Sequence, residues 1–133
     1  MVITNWKLLE IIESVEVIHP KSQLYLNEAL KKYPKKKNDI LSSHRTFLEW
    51  NSIVGYHRFF LDDKDESSVE KCFRHSTLKN FESLILTYGF DEPVVKIPAE
   101  LFFTEWEEFL SSQKWSGFIF SCDSKIVAEC SQD

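Results

Sequence analysis

The chain has 133 residues, 43% of them apolar and 28% charged, with a formal net charge of −5. That length suits one domain, residues 1–133, with a single continuous core. The composition argues against a disordered or collagen-like chain, and a sequence pI of about 5.4 argues against a dedicated nucleic-acid binder.

Leu8, Leu9, Ile11, Ile12 and Val15 gather against a polar stripe of Lys7, Glu10 and Glu13, the pattern of a short amphipathic helix over residues 6–15, capped by Asn5. Val15–Ile18 is β-branched enough for a strand, and Pro20 closes it. Residues 22–33 read as a second helix: Ser22 caps it and Leu26, Ala29, Leu30 and Tyr33 share a face. Lys31 and Lys32 sit in its last turn, and Pro34 stops it. After the loop Lys35–Asn38, Asp39 opens a third helical pattern through Ile40, Leu41, His44, Phe47, Leu48 and Asn51, with Gly55 as its stop. Tyr56–Leu61 fits a strand or a further helical turn equally well.

Asp62–Glu66 is a solvated acidic loop. Ser67-x-x-Glu70 then has the form of a capping box opening a long helix over about residues 68–88, ended by Gly89. At 1.5 Å per residue it would span about 30 Å, making it the expected central packing element. Val94–Ile97 reads as a short strand. A helix follows from Pro98 or from the box Thr104-x-x-Glu107, carrying Phe102, Trp106, Phe109 and Leu110. Phe118–Ser121 and Lys125–Glu129 form a C-terminal hairpin around Cys122-Asp123-Ser124. The expected fold is α+β: four to five helices in two layers with short antiparallel β elements including this hairpin, a mainly α bundle being the alternative. The core is expected to include Leu9, Ile12, Leu26, Leu30, Phe47, Leu48, Phe73, Phe81, Leu84, Ile85, Phe102, Phe109, Phe118 and Phe120.

Few catalytic patterns are available. There is no HExxH, glycine-rich phosphate loop, G-x-S-x-G or dinucleotide fingerprint, and with three Gly in all a phosphate cradle is not expected. Cys72-x-x-His75 with Cys122 and Cys130 has zinc-ligand chemistry without the tight spacing of structural zinc, and Cys72 lies on an apolar stripe where a free Cys acts as a small hydrophobe. Neither a metal nor a cofactor is expected. Three cysteines without a C-x-x-C pair fit reduced thiols. The first residues lack the form of a secretory signal, and no apolar run approaches the roughly twenty residues of a membrane span. A cytoplasmic protein without membrane contact is the expectation. The lysine run at 31–37 lacks Arg and is accounted for by a helix end and an exposed loop.

The charge is divided. Residues 1–45 hold eight Lys/Arg and five Asp/Glu, whereas residues 46–133 hold eight and sixteen. The acidic part also holds Phe90, Phe102, Phe103, Trp106, Phe109, Trp115, Phe118 and Phe120. Focused negative potential speeds encounter with a basic partner by about 10–10³, and aromatic residues supply interface cores. The expected partner-binding residues are therefore Asp62, Asp63, Asp65, Glu66, Tyr88, Asp91, Glu92, Glu105, Trp106, Glu107, Glu108 and Trp115, with Trp50 and Tyr56 as further aromatic anchors and Glu100 as a further acid. The expectation is that Asp62–Glu66 and Asp91–Glu108 share one face.

In size, acidity and aromatic content the chain resembles bacterial toxin-immunity proteins. The resemblance implies a non-catalytic inhibitor, monomeric or weakly dimeric, that covers a basic nuclease or similar effector. An adaptor or regulatory subunit with an apolar groove is the alternative. Another is a small phosphodiesterase: His44-Arg45-Thr46 and His75-Ser76-Thr77 resemble the paired H-x-[ST] triplets of two-histidine phosphoesterases, in which the two His act as acid and base. Arg45 and Ser76, with the helical setting of both triplets, depart from the apolar strand context of that family.

Overall fold

A computed structural model describes residues 3–35, 48–49, 52–53, 65–88, 92–112, 117–123 and 125–130. In chain order the elements are α1 (Trp6–Ile11), β1 (Glu16–His19), α2 (Ser22–Ala29), α3 (Glu66–Arg74), a 3₁₀ helix (Thr77–Asn80), β2 (Ser83–Thr87), β3 (Val94–Pro98), α4 (Ala99–Thr104), α5 (Trp106–Ser112), β4 (Gly117–Ser121) and β5 (Val127–Cys130). The fold is α+β, with the expected C-terminal hairpin formed by β4 and β5. Most of the helix expected from Asp39, and the Tyr56–Leu61 segment, lie outside the described residues. At Leu48, which that pattern places in the helix, the backbone instead forms an antiparallel bridge to Lys35, and Glu49 N donates to Pro34 O at 2.9 Å, so the expectation is corrected there.

All strand pairings are antiparallel, in the order β1-β3-β2-β4-β5. β2 sits at the centre, with Leu86 opposite Val95 on one side and Ile119 on the other. Side chains alternate across the sheet. Leu84, Leu86, Val95, Ile97 and Ile119 face a core shared with Leu8, Ile11, Val69, Phe73, Phe102, Phe109 and Leu110, so α1, α3, α4 and α5 cover this face. Ile85, Val94, Phe118 and Phe120 point the other way, into a smaller core with Leu30 and Leu48, flanked by Tyr25, Leu26 and Ala29 of α2.

The long helix expected over 68–88 is corrected: that segment is a helix, a 3₁₀ turn and the central strand. Asp65, not Ser67, is the N-cap, accepting from the Ser68 backbone N–H at 2.7 Å. This bond, with the Ser68 hydroxyl, holds the Asp65 carboxyl below the usual range. At the other end the Ser76 hydroxyl donates to Phe73 O at 2.6 Å and accepts from Leu78 N at 3.3 Å, closing α3 and starting the 3₁₀ turn. Leu84–Leu86 is apolar throughout, which matches a strand buried on both faces as well as a helical stripe. Pairing with β3 and β4 settles the choice.

α1 holds a second correction. Asn5 caps it as expected, accepting from Lys7 N and Leu8 N at 3.0 Å each. Its roll differs, however. Leu8 and Ile11 are buried, Lys7 is 0% exposed and Leu9 is 55% exposed, so Leu9 is not a core residue. α2 is shorter than its pattern, ending at Ala29. Its N-cap is Lys21, and the expected cap, Ser22, instead donates its hydroxyl to Glu92 O at 2.8 Å. Lys35 Nζ donates to Leu30 O and to Tyr33 O, so part of the lysine run caps the end of α2.

Candidate functional site

α4 and α5 are joined at Glu105, which is the C-cap of α4 with φ −115° and ψ 28°. The break sends the Glu105 side chain toward α1, where Lys7 Nζ donates to Glu105 Oε1 at 2.5 Å. Glu108 Oε1 lies at 3.4 Å and Glu10 Oε2 at 3.5 Å from the same ammonium, which also sits 5.0 Å from the centre of the Phe109 ring. A buried ammonium is sustained only when paired. Burial acts to lower the Lys7 pKa, but the hydrogen bond to Glu105 and the charges of Glu105, Glu108 and Glu10 outweigh it, leaving the group above its ordinary range.

Glu10, Glu105 and Glu108 form the one group among the described residues with metal-ligand chemistry, their ligand oxygens lying within 4.8 Å of one another. The Lys7 ammonium occupies the position of a cation there. Three carboxylates against one ammonium leave a formal excess of two negative charges at the surface. Glu107 is exposed beside them on α5.

The outer side of α1 supplies apolar surface next to these acids. Trp6 is 51% exposed and Leu9 is 55% exposed. At about 100° per residue, Trp6 lies roughly 60° from Leu9 and 40° from Glu10 around the helix axis, with Lys7 and Ile11 turned inward. The surface therefore runs from Leu9 through Trp6 to Glu10, and across Lys7 to Glu105 at the α4–α5 junction and Glu108 on α5.

The other expected partner-binding residues are placed differently. Trp106 is buried, its ring 6.0 Å from that of Phe73, so its expected role as an exposed anchor is corrected. Tyr88 is buried as well. Burial raises its phenol above the ordinary range; the Ser112 hydroxyl acts against this, and the charge of Glu92 adds to it. Glu92 is also no surface acid. It is 8% exposed, and its Oε1 accepts from Thr4 N and Asn5 N at 3.0 Å each and from the Thr4 hydroxyl. Glu92 thus ties the segment before α1 to the segment before β3, and Asn5 Nδ2 adds a bond to Ser112 O at 2.8 Å.

Asp65 belongs to the α3 cap. Arg74 on α3 forks onto Glu100 of α4 with two bonds of 2.8 Å, holds Glu70 at 3.1 Å, and lies 5.6 Å from the Phe103 ring. The Arg74 guanidinium keeps the Glu100 carboxyl below its usual range. Asp62, Asp63, Asp91, Trp50, Tyr56 and Trp115 lie outside the described residues, as does the side chain of Glu66. Of the acids expected on one face, Glu105, Glu107 and Glu108 are together on or beside α5, Asp65 caps the far end of α3 from Arg74, and Glu92 is internal.

Sequence reading missed Trp6, Leu9 and Glu10. The signal was present: Lys7 falls on the same helical side as Leu8 and Ile11, so burying those two buries Lys7 and turns Trp6 and Leu9 outward. Of the phosphodiesterase pair, His75 is the C-cap of α3 and His44 lies outside the described residues. Cys72, Cys122, Cys130 and His75 do not form a ligand group.

No family model matches the chain, and no curated protein or solved structure matches it.

Proposed function

We propose that this chain is a non-catalytic binding protein that engages a basic protein partner through the α1–α5 face, acting as an inhibitor of the immunity type. The observation that carries the reading is the adjacency of surplus negative charge and exposed apolar surface. Glu10, Glu105 and Glu108 outnumber Lys7, and Trp6 and Leu9 stand beside them on α1. Acidic groups at a rim steer a cationic partner into encounter, while an aromatic residue at the centre supplies affinity.

The test is association with a panel of cationic nuclease domains at low and physiological ionic strength. The expected result is a 1:1 complex whose association rate falls as salt rises, and which Glu107→Lys slows more than it hastens dissociation. Absence of any complex at low ionic strength would refute the proposal. An affinity indifferent to salt would favour the adaptor reading instead, for which the exposed Trp6 and Leu9 are the supporting observation.

A further inference from the structure

Twice the fold places a cation over an aromatic ring and anchors it with carboxylates. Lys7 lies over Phe109 and is held by Glu105, Glu108 and Glu10. Arg74 lies over Phe103 and is held by Glu100 and Glu70. Trp6 and Glu10 repeat the aromatic and acidic parts of that arrangement on the open side of α1. They are four residues apart, a spacing that brings helix side chains within about 5–6 Å at their Cβ atoms. Trp6 is half exposed, and among the described residues no cation or second ring lies on its indole. Glu10 has the longest contact to Lys7 of the three carboxylates, 3.5 Å, and the most exposed side chain. It retains acceptor capacity toward solvent.

We infer that Trp6 and Glu10 form a seat for an arginine side chain of the basic partner, with the guanidinium stacked on the indole and forked onto the Glu10 carboxylate. This rests on the proposed acidic docking face and specifies what that face selects. Arginine fits the seat better than lysine for three reasons: its planar group stacks, its two-pronged donors match a carboxylate, and it gives up hydration more readily than an ammonium. Leu9, on the other side of Trp6, offers apolar surface for the arginine stem. Lys7 sits at the inner edge of the seat and sets its boundary: a partner cation is drawn to Glu10 and Trp6 rather than into the space between Glu105 and Glu108, which the chain's own ammonium fills.

The experiment titrates the full chain with an oligo-arginine and an oligo-lysine peptide of equal length at low ionic strength. Binding is followed through the Trp6 indole N–H signal, assigned with Trp6→Phe, and through the backbone amides of α1 and α5. Oligo-arginine is expected to shift the Trp6 signal and to bind more tightly than oligo-lysine. Trp6→Ala should weaken oligo-arginine by about two- to fivefold, Trp6→Phe should weaken it less because a ring remains, and Glu10→Gln should narrow the arginine-over-lysine preference. Circular dichroism of each variant confirms the fold. Equal binding of oligo-arginine by a folded Trp6→Ala variant overturns the inference. If both peptides shift the amides of Glu107 and Glu108 while the Trp6 signal stays in place, the acidic-face reading survives and the arginine seat does not. If neither peptide binds, both fall.

Discussion

Replacing Lys7 with Met leaves a side chain of similar length against Phe109 and removes the ammonium from among three carboxylates. The carboxylate oxygens lie within 4.8 Å of one another. Two like charges at about that distance repel by about 0.9 kcal/mol at the dielectric constant of water and about 3.5 kcal/mol at an effective value of 20. All three side chains reach solvent, so the lower figure applies, and three pairs at that separation give about 2.6 kcal/mol before any relaxation. Rotation of the acids into water and relief of the ammonium's burial both reduce it. The expected net loss is about 1–2 kcal/mol. In urea, with a slope of about 2 kcal/mol per molar, this lowers the unfolding midpoint by about 0.5–1 M. The loss should also depend on pH in a defined direction. Lys7 has a folded pKa above its ordinary 10.5, so its contribution is fully present below that value and is lost as pH rises through the higher folded value. The gap between wild type and Lys7→Met should therefore be constant near neutral pH and close in strong base. A midpoint unchanged by the substitution, or a gap that persists unchanged far above the lysine range, would refute the internal ion cluster.

Other substitutions test the placement of individual residues. Leu86→Ala, in the central strand and fully buried, should cost about 2–5 kcal/mol, whereas Leu9→Ala should change stability by no more than about 0.5 kcal/mol. Denaturant melts of the two side by side distinguish the observed roll of α1 from the one its periodicity indicates. Glu92→Ala removes the acceptor for Thr4 and Asn5 and should cost about 2–3 kcal/mol, with faster hydrogen exchange at those two amides as the specific readout. Burial, followed by the charge of Glu129, pushes the Cys130 thiol up to about 12. In a thiol-reagent assay on native protein, exposed Cys122 should react first and the partly buried Cys130 more slowly, the difference closing on denaturation.

Much of the fold was legible where local chemistry and tertiary packing agree. Asn5 before an apolar run, Pro98 at a helix start, the β-branched Val94–Ile97 and the hairpin around Cys122–Asp123 each have a local cause, and each appears in the structure. In that turn Asp123 Oδ1 accepts from the Ser121 hydroxyl at 2.6 Å and from Lys125 N at 3.0 Å. Legibility ended where two structures suited one pattern. Leu84-Ile85-Leu86 fits a buried strand or a helical stripe, and Ser67-x-x-Glu70 fits a capping box although Asp65 makes the cap and Glu70 serves Arg74. At the candidate site the acids of α5 are legible from charge, but the inward turn of Trp106 is not, because composition counts aromatics without showing which way they point.

The sequence by itself determined the class of the fold, part of its core, Phe102, Phe109 and Phe120 among it, and the excess of acid in its larger part. These follow from hydrophobic periodicity, capping and charge, which act over a few residues. Only the tertiary structure decided that Leu84–Leu86 is the middle of a sheet, that Glu92 is an internal anchor, and that Lys7 lies inside while Trp6 lies outside. The reason is that pairing partners, burial and the field at a carboxylate come from residues distant in the chain. Lys7 and Glu105 are 98 positions apart, and their contact supplies the partner that the ammonium needs once Leu8 and Ile11 carry it inside.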